Sequence, residues 1–176
     1  MKIDSLLNAF KDEYRITSQP LRLTESDKAA TYRECELKGC GGCVLIKIDH
    51  SRLNWLEILK DADLVKKKCD YVLLSKIDGE VFFIIFEMKG KNSAIGHSQV
   101  YNTYEYLVYL IKILRNNGHC KEATKCFGVV LTSHVKPGIR ATDYQPKEKN
   151  INGLRVFILP QLPKINLAKL IKTFKA

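Results

Sequence analysis

Long apolar runs are missing from this sequence. None comes near the roughly 20 residues that a membrane-crossing helix needs, so no bilayer span and no membrane partner are expected. The opening stretch, MKIDSLLNAFKDEY, has acids inside its apolar part, which is not the pattern of a signal peptide. Internal repeats and low-complexity linkers are absent too. Six cysteines in 176 residues are too few for a disulfide-dense scaffold. Reduced thiols in the cytoplasm are the expectation. Negative charge is scarce: 19 Asp and Glu stand against 29 Lys and Arg, a net charge of +10. Such an excess favours polyanionic partners, nucleic acid before an anionic membrane surface. The basic residues are spread out, dense only at Lys66-Lys67-Lys68 and from Lys164 to Lys175.

What is present suffices for a core. Hydrophobic residues make up 45% of the chain, and its length suits one domain over residues 1–176. Leu6, Leu7, Phe10 and Tyr14 share the face of a first helix. Residues 17–30 are polar and loop-like. TYRECEL (31–37) alternates, KGCGGC supplies turn residues, and VLIKI (44–48) reads as a strand, together a hairpin. Residues 52–60 suit a short helix. The runs Tyr71–Leu74 and Val81–Phe86 are split by Asp78-Gly79, a strong hairpin signal. A long helix spans about 97–115, with Val100, Tyr104, Leu107, Ile111 and Leu114 as its apolar stripe and Asn116-Asn117-Gly118 as its end. FGVVLTS (127–133) and LRVFIL (154–159) are further strands, with a polar loop between them over 134–152. Asn166–Phe174 suits a closing helix. This order indicates an α/β domain with a mixed central sheet flanked by helices. Val81–Phe86 is apolar at both alternating positions, so it belongs mid-sheet, covered on both faces.

The stretch DYVLLSKIDGEVFFIIFEMK (70–89) carries charge only near its ends and its turn. A two-residue loop at Asp78-Gly79 sets Ile77 opposite Glu80 and, counting back along both arms, Asp70 opposite Glu87. A four-residue loop keeps that register; a three- or five-residue loop breaks it. Opposed residues have Cβ atoms about 4.5–5.5 Å apart, and Lys89 shares the face of Glu87. Opposed like charges are destabilising, and a bound cation relieves them. Carboxylate oxygens suit Mg²⁺, which needs only one or two of them. The plainer alternative is that Asp70 ends a strand and the three charges form a same-face ion pair.

Asp70, then sixteen residues, then Glu87-Met88-Lys89 at the end of an apolar strand, then a helix carrying Gln99, resembles the PD-(D/E)XK nuclease superfamily, in particular its small single-domain members. The resemblance covers roughly residues 30–132. It implies a restriction-endonuclease-like fold and a metal-dependent nuclease that hydrolyses phosphodiester bonds of DNA. Asp70 and Glu87 would be ligands to Mg²⁺ or Mn²⁺, Lys89 the catalytic lysine, and Gln99 the polar residue at the start of the next helix. Glu34 would match the upstream acid of several members, although it sits in a strand-like run rather than on a helix. Cys69, not Pro, precedes Asp70. Endonucleases of this type often pair as homodimers. The rival from another class is a nucleic-acid-binding domain that keeps the fold without catalysis.

Cys40-Gly41-Gly42-Cys43 invites a redox or zinc reading, with Cys35 as a third ligand. It precedes a strand instead of opening a helix, and no second pair follows, so a glycine-rich turn with incidental thiols is expected. His97 lies near Gln99 and is more often a helix-terminal residue than a ligand. Tyr101, Tyr104, Tyr106 and Tyr109 crowd the long helix, where aromatic residues are more often core than base-stacking platforms. Lys66–Lys68 would reach a phosphate backbone or lie solvated. Gly90 would let the chain turn away from the site.

Overall fold

The computed structural model describes residues 10–25, 34–39, 42–48, 67–89, 93–120, 123–132, 146–160 and 162–175. The expected helix of Leu6 and Leu7, the helix over 52–60, and Lys66, Cys40 and Gly90 lie outside them. After a short 3-10 turn, Asp12–Tyr14, come β1 (Arg15–Ile16), β2 (Leu21–Thr24), β3 (Glu34–Lys38) and β4 (Val44–Lys47). Then follow β5 (Tyr71–Ile77), β6 (Glu80–Lys89), α1 (Ser93–Asn116), β7 (Thr124–Thr132), β8 (Lys147–Ile151), β9 (Leu154–Pro160), β10 (Lys164–Asn166) and α2 (Leu167–Lys175).

Seven strands form one mixed sheet in the order β1-β4-β5-β6-β7-β9-β8, and β10-β3-β2 form a small second sheet. The expected α/β class with a mixed central sheet is what is observed. β6 is the middle strand, antiparallel to β5 and parallel to β7, with α1 as the crossover. Its eight residues from Val81 to Met88 are all buried. The β5–β6 turn has two residues, with φ of 52° at Asp78 and 80° at Gly79. Both are left-handed, the type I′ geometry that Asp-Gly favours because it matches strand twist. Register runs from Ile77 opposite Glu80 to Tyr71 opposite Phe86, as the turn chemistry demands.

Strand alternation sends the β6 side chains into two cores. Val81, Phe83 and Ile85 pack with Val100, Leu107, Ile111 and Leu114 of α1. Phe82, Ile84, Phe86 and Met88 pack on the other face with the small sheet and with Leu167, Leu170 and Ile171 of α2. The α1 crossover sits close on β7 because Gly128 has no side chain: a Cβ there would lie 2.3 Å from Val100 Cγ1 and 3.2 Å from Val156 Cγ2. Glycine inside a strand commonly marks such an approach. Gly128→Ala is therefore expected to destabilise the fold by about 1–3 kcal/mol, read as a lower urea midpoint at unchanged slope.

Three expectations need correction. Residues 21–24, expected as loop, form β2, whose Leu21 and Leu23 are wholly buried. Residues 147–151, also expected as loop, form β8, an edge strand exposed along most of its length. The strands expected to pair as a hairpin, β3 and β4, lie in different sheets. Gly39, just after β3, and Gly42, just before β4, have φ of 74° and 70°, left-handed values that glycine accepts at no steric cost. Phe10 and Tyr14 pack against the α1-side core, with Tyr14 ending the 3-10 turn. Among the described residues no helix is long and apolar enough to cross a membrane.

Candidate active site

β6, β7 and β9 run parallel, and Glu87 and Lys89 stand at the carboxyl end of this set. Ligand sites of open α/β sheets form at such ends. Asp70 lies one residue before β5, where the hairpin register places it across from Glu87. The two strand ends are tied reciprocally. The Asp70 backbone N–H donates to Glu87 Oε2 at 3.2 Å, and the Met88 backbone N–H donates to Asp70 Oδ2 at 2.7 Å. Each carboxylate thus takes an amide from the other's strand. Lys89 Nζ sits 2.6 Å from Glu87 Oε1 as an ion pair. The structure therefore brings together Asp70, Glu87 and Lys89.

The first turns of α1 press on this group. A Cβ on Gly96 would lie 3.0 Å from Lys89 Cγ and 3.5 Å from Glu87 Cγ. That packing leaves Glu87 0% exposed while Lys89 keeps 26% of its side chain in water. Burial first, then the like charge of Asp70, push the Glu87 carboxyl up to about 8, and Lys89 offsets this only in part. Burial pulls the Lys89 ammonium down, but the Glu87 carboxylate, with Asp70 and Glu25 behind it, outweighs burial and holds it above its ordinary value.

Gln99 is buried on α1, and its Nε2 donates to the Lys68 carbonyl at 2.8 Å. It holds the chain that leads into Asp70. Glu34 stands apart: at the start of β3 it is exposed and pairs with Arg22 at 2.8 Å. Glu25 was not anticipated. It follows β2 and lies near enough for its charge to act on Lys89. The Tyr71 hydroxyl anchors that strand end, donating to the Thr24 carbonyl at 2.8 Å and accepting from the Thr24 N–H at 3.2 Å. No sequence signal marks Glu25, because its surroundings read as polar loop.

Other candidates take ordinary places. His97 is half-buried, its imidazole held below its usual value by burial and then by the nearby Lys149. Tyr104 packs against the core, whereas Tyr109 is 68% exposed. Cys43 is buried, its thiol donating to Ser75 Oγ at 3.7 Å. Burial pushes the Cys69 thiol far up, so it is no thiolate nucleophile beside Asp70.

The donor set suits a hard divalent cation. It consists of two carboxylates, Asp70 and Glu87, with Glu87 Oε1 held against Lys89 Nζ at 2.6 Å. Among the described residues no three His, Cys, Asp or Glu side chains gather into a metal cluster. Two carboxylates are enough for Mg²⁺, which keeps several waters. Compared with protein-family models, curated proteins and solved structures, the chain matches none.

Proposed function

We propose that this chain is a metal-dependent nuclease of the PD-(D/E)XK type, with the β5–β6–α1–β7 unit as its restriction-endonuclease-like core and DNA as its substrate. The observation that carries this is the opposition of Asp70 and Glu87 across the hairpin, with Lys89 at 2.6 Å from Glu87. Asp70 and Glu87 would hold Mg²⁺ or Mn²⁺. Bound there, the ion would lower the pKa of a water and neutralise phosphate charge. Lys89 keeps 26% of its side chain exposed. Its ammonium would turn from Glu87 toward a phosphate oxygen, where negative charge grows in the transition state. Asp70 and Glu87 are held by backbone amides, so little reorganisation is needed as substrate arrives.

One observation favours a second reading, a nucleic-acid-binding domain without catalysis. Lys89 already pairs with the buried Glu87, so the group is also intelligible as architecture. Calorimetry with Mn²⁺ separates the two. The parent is expected to bind and Glu87→Gln, which keeps shape and removes charge, to bind far more weakly. Equal heats in both would remove the metal site.

Under either reading the +10 chain binds nucleic acid with steep salt dependence. The log–log slope should steepen by about 0.9 per neutralised phosphate on duplex DNA. An affinity unchanged between low and moderate salt would contradict it.

A further inference from the structure

Three side chains on one face of α1 hold three consecutive residues of the segment entering β5. Gln99 Nε2 donates to the Lys68 carbonyl at 2.8 Å, Asn102 Nδ2 donates to the Lys67 carbonyl at 3.3 Å, and Thr103 Oγ1 accepts from the Cys69 N–H at 2.9 Å. Positions 99, 102 and 103 are neighbours on a helix surface. Thr103 is wholly buried and Gln99 is 8% exposed. Residues 67–69 lie outside the strands and stand just before Asp70. Thr103 is a hydroxyl in an otherwise apolar stripe with Val100 and Leu107, an arrangement that packing alone does not call for.

We propose that Thr103, supported by Gln99 and Asn102, is a positioning residue: α1 latches residues 67–69 so that Asp70 stays opposite Glu87 in the geometry the site needs. The segment has two handles. One is the latch, which fixes its backbone up to the Cys69 N–H. The other is the reciprocal pair of bonds from Asp70 N–H to Glu87 and from Met88 N–H to Asp70. If Thr103 lost its oxygen, the buried Cys69 N–H would be left without that acceptor. An unsatisfied buried donor drives the local backbone to shift or open. Asp70, one residue on, would move with it. The helix that presses on Glu87 and Lys89 through Gly96 would then no longer hold Asp70 in the same frame. This deepens the nuclease proposal but does not depend on it entirely, since the latch acts on the acid pair whether or not a metal joins it.

The test uses the full chain with Thr103→Val, which keeps volume and removes the hydroxyl, and Thr103→Ser, which restores it. The first readout is amide hydrogen exchange at Asp70 and Met88, the two N–H groups bonded within the acid pair. Thr103→Val is expected to speed both by about tenfold or more, as local opening without global unfolding does, while Val129 of β7 stays protected and Thr103→Ser exchanges like the parent. The second readout is Mn²⁺ affinity. Thr103→Val is expected to weaken it by about 10- to 100-fold, the usual loss when an outer-shell partner is removed, with recovery in Thr103→Ser. If Thr103→Val fails to fold, Gln99→Met serves as the second variant, removing only the bond to Lys68. Unchanged exchange at Asp70 and Met88 overturns the latch whatever the metal does. Faster exchange in a protein whose parent binds no Mn²⁺ upholds the latch and removes the metal-site proposal.

Discussion

Replacing Lys89 with alanine is expected to slow single-turnover cleavage of DNA by about 100- to 1,000-fold, or about 2.7–4 kcal/mol of transition-state stabilisation. The magnitude is that of one preorganised charge aimed at a site of growing negative charge. Lys89 is suited to the task because its stem is fixed under Gly96 while 26% of the side chain remains in water. The fold is expected to survive. Without the ammonium, the buried Glu87 carboxyl takes a proton, a state its surroundings already favour. Affinity for DNA should change little, since one lysine is a small part of a +10 surface. A binding titration beside the cleavage assay separates the outcomes. Parental cleavage by Lys89→Ala would remove the lysine from catalysis. Unfolding would make it a structural partner of Glu87.

The second large effect concerns stability. Glu87 has a folded-state pKa of about 8 against an ordinary value of 4.5. The folded chain therefore keeps a proton there that the unfolded chain has released. Stability from this group is fully present below about pH 4.5 and is lost progressively as pH rises toward about 8. Glu87→Gln carries no such charge, so it should flatten the decline between pH 5 and 8. At pH 8 it should stabilise the metal-free protein by a few kcal/mol, a rise in Tm on the order of 5–10 °C for a chain of this size. Saturating Mn²⁺ should narrow that gap. At about a hundred times Kd the ion would add about 2.7 kcal/mol to the parent and little to the mutant. Thermal melts of both proteins at pH 5 and pH 8, with and without Mn²⁺, check this. A less stable Glu87→Gln at pH 8 without metal would show that Lys89 fully compensates the buried charge.

Much of the site was legible because its determinants are local. Asp78-Gly79 dictates a two-residue turn, the turn dictates register, and register puts Asp70 across from Glu87. Val81–Phe86 declared a central strand because it is apolar at both alternating positions. The parts that were not legible depend on distant partners. β8 reads KEKNI and is exposed on both faces, so it carries no period; only pairing with β9 makes it a strand. β3 alternates visibly, but nothing within it reveals that it pairs with β10, over a hundred residues away in sequence, instead of β4. Gln99 was visible as a polar residue near a helix start, while its bond to the Lys68 carbonyl exists only once α1 crosses the sheet. Thr103 did leave a trace, a hydroxyl between Val100 and Leu107 on the buried stripe. Glu25 left none.

The most direct measurement of the central claim is incubation of the protein with plasmid, linear, single-stranded and branched DNA, in Mg²⁺, in Mn²⁺ and in chelator, alongside Asp70→Asn. Cleavage of at least one of these DNAs with either ion, abolished by chelator and by Asp70→Asn, is the expected result. Cleavage that persists in chelator, or that Asp70→Asn retains at the parental rate, would contradict it, as would intact DNA of all four kinds under both ions.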